Sequence, residues 1–77
     1  MVMVVREGGF RIAIYPADHL PPHVHVYGDG EVRIALLTNG IELLSSRGTS
    51  IADTRKALVL VWRHREALLA VWRRLHG

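Results

Sequence analysis

Hydrophobic and polar residues alternate with a period of two along the first half of the chain. In residues 10–15 (FRIAIY), Phe10, Ile12 and Ile14 share one face, which indicates a half-buried β-strand. The same kind of pattern predicts further strands at residues 23–27 and 31–37, and a hairpin signal at residues 39–40 leads into a short fourth strand over residues 41–44. Because only short turns separate these runs, we expect an antiparallel meander of three to four strands.

Turn-forming residues lie between the predicted strands. Pro16 ends the first strand, and two glycines within residues 28–30 accept the positive φ that a tight turn requires. Asn39 followed by Gly40 is the strongest two-residue hairpin signal in the chain. The serine-rich residues 45–50 are predicted to form a loop.

The last part of the chain has the periodicity of an amphipathic helix, over residues 51–76. Ser50 followed by Asp53 is typical of a capping box at a helix start. Arg65 falls within the apolar arc of the helical wheel, where burying an unpaired guanidinium is costly. We therefore expect either a break near Arg65 or a carboxylate partner for it, and we favour a break that gives two helices.

Together these elements predict a single α+β domain over residues 1–77. It consists of the meander sheet followed by a C-terminal amphipathic helical segment, one kinked helix or two helices, packed on one face of the sheet. A chain of 77 residues has room for one domain. Its hydrophobic share of 49% is high for this size, so we expect a homo-oligomer or a small cognate protein partner to cover apolar surface.

Cysteine content and the N-terminal sequence narrow the class of protein. The chain has no cysteine, so disulfides and thiolate metal sites are excluded, and any metal must be bound by histidines and carboxylates. Neither a signal peptide nor an apolar run of about 18 residues is recognisable. We expect a cytoplasmic protein without membrane contact.

Three of the five histidines cluster around the Pro-Pro pair of the string DHLPPHVHV. In an extended strand His23 and His25 point to the same face, about 6–7 Å apart, which suits two imidazoles that bind one metal ion. Asp18 and His19 are candidate further ligands, and this donor set suits a divalent zinc, manganese, iron or nickel ion. Glu31 is an additional candidate.

Two alternatives to a metal site stay open for this cluster. His23 and His25 are candidate catalytic residues for metal-free acid–base chemistry, since imidazole titrates near neutral pH. They can equally be surface residues of an exposed strand whose Val24 and Val26 face the core.

The C-terminal helical segment carries most of the positive charge of a chain with a net charge of +3. On the helical wheel the basic stripe consists of Arg55, Lys56, Arg63, Arg73 and Arg74. Such a stripe is a candidate for contacting nucleic-acid phosphates, and the alternative is a solvated helix face. Trp62 and Trp72 lie on the apolar side and are expected in the core rather than as base-stacking platforms.

Three segments carry a resemblance to one prokaryotic family, namely GGFRIAIYPADHLPPHVHV, IELLSSRG and HREALLAVW. Over nearly its whole length the chain resembles the family catalogued as domain of unknown function 4160. The resemblance implies a small bacterial or archaeal cytoplasmic protein without an assigned reaction, often encoded beside a second small gene in the manner of toxin–antitoxin pairs. The helical segment carries fewer acidic residues than the resemblance leads us to expect, which favours a basic interaction role.

The sequence is compatible with three functions. The first is a toxin–antitoxin-type component that binds a partner protein and, through the basic stripe, nucleic acid. The second is a small metal-dependent or histidine-based hydrolase or nuclease that uses the cluster of Asp18, His19, His23 and His25. The third is a structural partner subunit in which the histidine strand has no chemical role.

Overall fold

Five antiparallel strands form one sheet in the computed structural model, which describes residues 1–77. In chain order the strands are β1 (Val2–Glu7), β2 (Phe10–Ile14), β3 (His23–Tyr27), β4 (Glu31–Leu37) and β5 (Gly40–Arg47). Each strand pairs with the next one along the chain, so the sheet is a meander with β3 at its centre. The helices α1 (Ile51–Arg63) and α2 (Arg65–His76) follow, and the predicted α+β class is confirmed.

The predicted count of three to four strands is wrong, because the N-terminal residues form a fifth strand, β1. β1 is a nearly unbroken apolar run rather than an alternating one, and four of its residues are half-buried at the edge of the sheet. Gly8 and Gly9 connect it to β2 with φ angles of 57° and 81°, which glycine adopts without a steric clash. A Gly-Gly pair between two apolar runs is the sequence signal for this hairpin.

The β4–β5 hairpin is present, but its turn lies one residue earlier than the sequence predicts. Thr38 and Asn39 form the turn, and Gly40 already pairs with Leu37 as the first residue of β5. Neither Asn39 nor Gly40 has a positive φ. β5 also extends over residues 45–47, predicted as loop, because its pairing with β4 continues beyond a shift in register.

The hydrophobic core is built from residues of β2, β3 and β4 and of both helices. Alternation along β2, β3 and β4 brings Ile12, Val26 and Val32 into register, and all three side chains are buried. The helices contribute Ala57, Leu60, Val61, Leu68 and Trp72. Each large apolar side chain buried in this way stabilises the fold by about 1.5–3 kcal/mol relative to its exposed state.

The helical segment breaks at His64, as the position of Arg65 in the apolar arc predicts. Arg65 is the first residue of α2, and its guanidinium donates hydrogen bonds to the backbone carbonyl oxygens of Leu37, Thr38 and Gly40. Its partners are therefore carbonyl groups of the β4–β5 turn rather than a carboxylate, and they satisfy its donors without a second buried charge. This contact fixes the start of α2 against the sheet.

The two tryptophans differ in burial. Trp72 is 2% exposed and lies in the core, whereas Trp62 is 56% exposed, so the expectation that Trp62 is a core residue is wrong. α1 buries the side that carries Ala57 and Val61, and at 100° per residue Trp62 lies about 140° from Ala57, on the outward side of the helix. Neither helix is long and apolar enough to cross a membrane.

An ion pair connects the β1–β2 hairpin to the end of α1. Arg63 Nη1 donates to Glu7 Oε2 at 2.7 Å, and His64 Nε2 lies 3.3 Å from Glu7 Oε1. The hydrogen bonds from Arg63 and then from His64 hold the pKa of Glu7 below its usual value. The edge strand β1 is thus tied to the helical layer.

We predict that Gly30→Ala destabilises the fold and that Gly40→Ala is tolerated. A Cβ atom at Gly30 would overlap the carbonyl oxygen of Arg47, so the β3–β4 turn and the end of β5 would have to separate. Nothing lies within 4 Å of a Cβ atom placed at Gly40. Urea unfolding should show a loss of about 1–3 kcal/mol for Gly30→Ala and a change below about 0.5 kcal/mol for Gly40→Ala. Equal effects would contradict the prediction.

Candidate metal centre

Two histidines of the central strand β3 point to the same side of the sheet. The alternation of β3 directs Val24 and Val26 into the core and His23 and His25 to the opposite side. His25 is buried at 9% exposure, so it is not the surface side chain that an exposed strand would carry. Residues of the β2–β3 connection cover it, among them Tyr15.

Asp18 returns from the β2–β3 loop to meet both imidazoles. Its Oδ2 atom lies 3.0 Å from His23 Nε2 and 2.9 Å from His25 Nε2. A hydrogen bond of 2.8 Å from the backbone N–H of Leu36 to the carbonyl oxygen of Pro22 holds the end of this loop against β4. The donor atoms of Asp18, His23 and His25 all lie within 4.8 Å of one another, which is a grouping that can hold a metal ion.

The other ring nitrogen of each histidine has a partner as well. His23 Nδ1 lies 2.9 Å from the carbonyl oxygen of Pro21, and His25 Nδ1 lies 3.0 Å from Glu31 Oε2. A carbonyl oxygen and an ionised carboxylate can only accept hydrogen bonds. Each Nδ1 atom therefore faces an acceptor that a proton on that nitrogen would satisfy.

Both Nε2 atoms also face an acceptor, the Oδ2 atom of Asp18. A neutral imidazole carries one proton, so each neutral ring can donate to only one of its two acceptors, and its other nitrogen presents a lone pair. If the protons are on Nδ1, two lone pairs and the Asp18 carboxylate converge on one point, which is repulsive unless positive charge lies there. That charge is supplied either by a cation between the three atoms or by a second proton on the imidazoles.

The carboxylates of the cluster are held in their ionised form. Burial opposes ionisation of Asp18, but the hydrogen bond from His25 and the charges of His23 and His25 outweigh it, so the pKa of Asp18 lies below its usual value. The hydrogen bond from His25 lowers the pKa of Glu31 by more than burial raises it. Both side chains are therefore anions at neutral pH.

Aromatic side chains enclose the two imidazoles. The Tyr15 ring packs edge-on against His25 with 4.6 Å between ring centroids, and its hydroxyl is hydrogen-bonded to that of Tyr27. Burial, followed by the hydrogen bond with Tyr15, raises the pKa of Tyr27, which therefore stays protonated. The ring of Trp72 from α2 lies 5.5 Å from that of His23. The cluster thus has walls from the sheet and from α2.

The structure does not bring every predicted site residue to the cluster. His19 is exposed and lies outside the group formed by Asp18, His23 and His25, although it is adjacent to Asp18 in sequence. Glu31, the additional candidate ligand, contacts Nδ1 of His25 rather than the point on which the three donor atoms converge. Glu31 thus lies on the far side of the His25 ring from Asp18.

The five basic residues predicted to contact nucleic acid lie on both helices. The break at His64 divides them between the two helices. The α1 group is Arg55, Lys56 and Arg63, and the α2 group is Arg73 and Arg74. All five are exposed, and Arg63 is the one paired with Glu7.

Tyr15, Tyr27 and Trp72 belong to the site without having been predicted from the sequence. The argument that places His23 and His25 on one face also predicts the position of Tyr27, since Tyr27 lies two residues after His25 on the same strand. Tyr15 and Trp72 reach the cluster through the course of the β2–β3 connection and the packing of α2. Neither of these can be read from local spacing.

One family of proteins matches a range of the chain that includes all residues of this cluster. The sequence profile described as Domain of unknown function (DUF4160) matches residues 9–73. No curated protein and no solved structure shows significant similarity to the chain. The comparisons therefore identify a family and no activity.

We predict that Glu31→Gln lowers the stability of the metal-free protein at neutral pH and that this loss disappears in acid. Because the folded-state pKa of Glu31 is depressed, its ionised form stabilises the fold above the unfolded-state pKa of about 4.3. That contribution is lost as the pH falls through the lower, folded-state pKa. We expect a difference of about 1 kcal/mol at pH 7 that shrinks below about pH 4.

Urea unfolding in EDTA between pH 3 and pH 7 measures this difference. Glu42→Gln, which changes an exposed carboxylate of β5 without an ion-pair partner, is the matched control and should leave stability nearly unchanged throughout. A Glu31→Gln effect of constant size across the pH range would contradict the assignment of the His25 contact.

Proposed function

The chain belongs to the DUF4160 family, a family of unknown function, and we propose that this member binds a divalent transition-metal ion through Asp18, His23 and His25 and uses it in hydrolysis. One observation carries the proposal. Both Nε2 atoms converge on Asp18 Oδ2 while both Nδ1 atoms face acceptors of their own, so neutral rings leave this point short of positive charge, which a metal ion would supply.

The separations within the cluster are close to those between neighbouring ligands of one ion. Zinc–nitrogen and zinc–oxygen bonds are about 2.0–2.2 Å long, so ligand atoms at the tetrahedral angle lie about 3.4 Å apart. Asp18 Oδ2 is 3.0 Å and 2.9 Å from the two Nε2 atoms. Coordination of one ion would therefore require these atoms to separate by about half an ångström.

The surroundings of the two histidines have the form that metal ligands require. A coordinating imidazole usually donates its second N–H to a carboxylate or a backbone carbonyl, which fixes the tautomer and the orientation of the ring. With an ion on both Nε2 atoms, His25 would donate from Nδ1 to Glu31, and His23 would donate from Nδ1 to the carbonyl group of Pro21. The loop and β4 thus preorient both Nε2 lone pairs.

Three protein ligands leave a coordination position free, which is the arrangement of catalytic rather than structural metal sites. An ion bound here would supply a nucleophile near neutral pH by acidifying its bound water. The Asp18 side chain is 29% exposed, so water and a substrate can reach the cluster from the side of the β2–β3 loop. The Asp18 carboxylate is the ligand on that open side.

Metal-free acid–base chemistry is the second candidate for the same residues. His25 lies between the carboxylates of Asp18 and Glu31, so both of its ring nitrogens face proton acceptors. In this case the positive charge at the point of convergence is carried by protons. A metal titration separates the two candidates.

A role as a toxin–antitoxin-type component stays a prediction beside this proposal. Its support is the exposed basic side chains of α1 and α2, which can meet a partner protein or nucleic acid. The cluster on β3 and the basic groups on the helices use different residues. Metal binding and partner binding are therefore compatible in one chain.

We predict that the EDTA-treated protein binds one divalent ion per chain when Zn²⁺ or Mn²⁺ is titrated into it. His23→Ala and His25→Ala should each weaken binding by more than about 100-fold, because each removes a ligand. Glu31→Gln should weaken it by about 10–100-fold, because it releases the ring of His25. Isothermal titration calorimetry gives the Kd and the stoichiometry, and elemental analysis of untagged protein gives the metal as purified.

His19→Ala is the matched control, since it removes a histidine from the same loop that lies outside the cluster. It should bind metal as the wild type does. Circular dichroism of each variant shows whether the fold is retained. A folded wild type that takes up no ion, or a folded His25→Ala variant with unchanged affinity, would contradict the metal site.

We further predict metal-dependent cleavage of a simple phosphodiester such as bis(4-nitrophenyl) phosphate. The rate should fall to background in His25→Ala and after EDTA treatment, and it should be retained in His19→Ala. Equal rates in wild type and in folded His25→Ala would contradict the proposal that this cluster catalyses hydrolysis. They would not affect the separate proposal that it binds a metal ion.

A further inference from the structure

The outward face of α1 exposes several large apolar side chains. Ile51, Val59 and Trp62 are 75%, 58% and 56% exposed, at positions that a helix brings to one side. Apolar side chains scattered singly over a surface are ordinary, but a group on one helix face marks an interaction surface. This face shares no residue with the histidine cluster, so its binding properties are independent of metal binding.

Beside this face a groove of about 500 Å³ lies between α1 and the β1–β2 turn. Its apolar lining consists of Phe10, Val59 and Leu60. Its charged lining consists of Arg55, Lys56, Arg63 and Glu7. Three cations thus surround an apolar floor together with a single carboxylate.

That carboxylate is already occupied, so the groove keeps uncompensated positive charge. Glu7 accepts hydrogen bonds from Arg63 at 2.7 Å and from His64 at 3.3 Å. Arg55 takes part in none of the ion pairs or side-chain hydrogen bonds of the structure, and Lys56 reaches only Asp53, at 4.0 Å. The free charge is therefore that of Arg55 and Lys56.

We infer that this groove binds an acidic peptide segment of a partner protein, with one apolar side chain of that segment seated on the floor. Both the charged and the apolar residues of the lining are complementary to such a segment. Carboxylates of the segment meet Arg55 and Lys56, and the apolar side chain covers Val59 and Leu60. Opposite charge at the rim speeds association and excludes basic segments, while the floor supplies the anchor.

An acidic peptide fits these observations better than a nucleic-acid strand. A strand is bound along a continuous basic track with aromatic faces on which bases stack. Here the basic residues form two groups on two helices, and Arg73 of the second group lines a different depression beside Pro21 and Trp72. The exposed Trp62 is not part of the groove lining, and the aromatic residue that is, Phe10, is partly buried against the core.

The test is fluorescence anisotropy with a fluorescein-labelled peptide of twelve residues, made of glutamate and aspartate with one central leucine. We expect saturable binding to the full chain, measured both with EDTA and with bound metal. The double variant Arg55→Glu/Lys56→Glu should weaken binding at least tenfold. The matched control Arg73→Glu/Arg74→Glu changes the net charge equally on α2 and should alter the Kd by no more than about twofold.

Two further comparisons test the floor of the groove. A peptide with alanine in place of its leucine should bind at least threefold more weakly, and Val59→Ser should have an effect of similar size on the original peptide. Val59 is exposed in the folded chain, so its replacement by serine does not open a cavity in the core. Circular dichroism and urea unfolding confirm that each variant is folded.

Four results would overturn the inference. They are an absence of peptide binding, equal effects of the two charge reversals, tighter binding of a twelve-nucleotide single-stranded RNA than of the peptide, and a dimer in light scattering that Val59→Ser dissociates. Equal effects of the two charge reversals would mean that net charge alone attracts the peptide. Tighter binding of the RNA would assign the surface to nucleic acid, and a dimer that Val59→Ser dissociates would assign it to a second copy of this chain.

Discussion

The alternation of side chains along the central strand β3 is the constraint on which both the fold and the candidate site depend. Val24 and Val26 enter the core on one side, and His23 and His25 are fixed on the other side as a direct consequence. A slip of one residue in the pairing of β3 would exchange the two sets. The burial of the valines thus determines the placement of the imidazoles, and the site inherits the rigidity of the middle of a five-stranded sheet.

The two imidazole rings of the histidine cluster have more hydrogen-bond acceptors around them than they have protons to donate. Four acceptor contacts surround the two imidazole rings, from the Asp18 carboxylate twice, from Glu31 and from the Pro21 carbonyl group. Neutral rings can donate only two hydrogen bonds in total, so the cluster is satisfied only with added positive charge. An arrangement that served stability alone would have fewer acceptors or apolar neighbours in their place. This excess of acceptors is the physical reason to regard the cluster as a binding site.

Sequence reasoning recovered the features of this molecule that depend on local periodicity. Alternation gives β2, β3 and β4 and the common side of His23 and His25, and a hairpin signal gives β5. The break before Arg65 follows from the cost of burying its charge. The strand β1 was missed because it lacks alternation. The position of Glu31 behind His25 and the approach of Trp72 depend on the β3–β4 register and the packing of α2. These are distances between different elements of the fold, and no residue spacing encodes them.

The break at His64 is also what allows α2 to take part in the site. Trp72 lies eight residues beyond the break, so in a straight continuation of α1 it would lie about 12 Å further along the same axis. Arg65 instead fixes the start of α2 on the carbonyl groups of the β4–β5 turn, and α2 then runs so that Trp72 is buried against the sheet and close to His23. The same break ends α1 beside Glu7 and leaves its outward face exposed. One charged residue in an apolar arc therefore separates the helical layer into a part that closes the histidine cluster and a part that presents the groove to solvent.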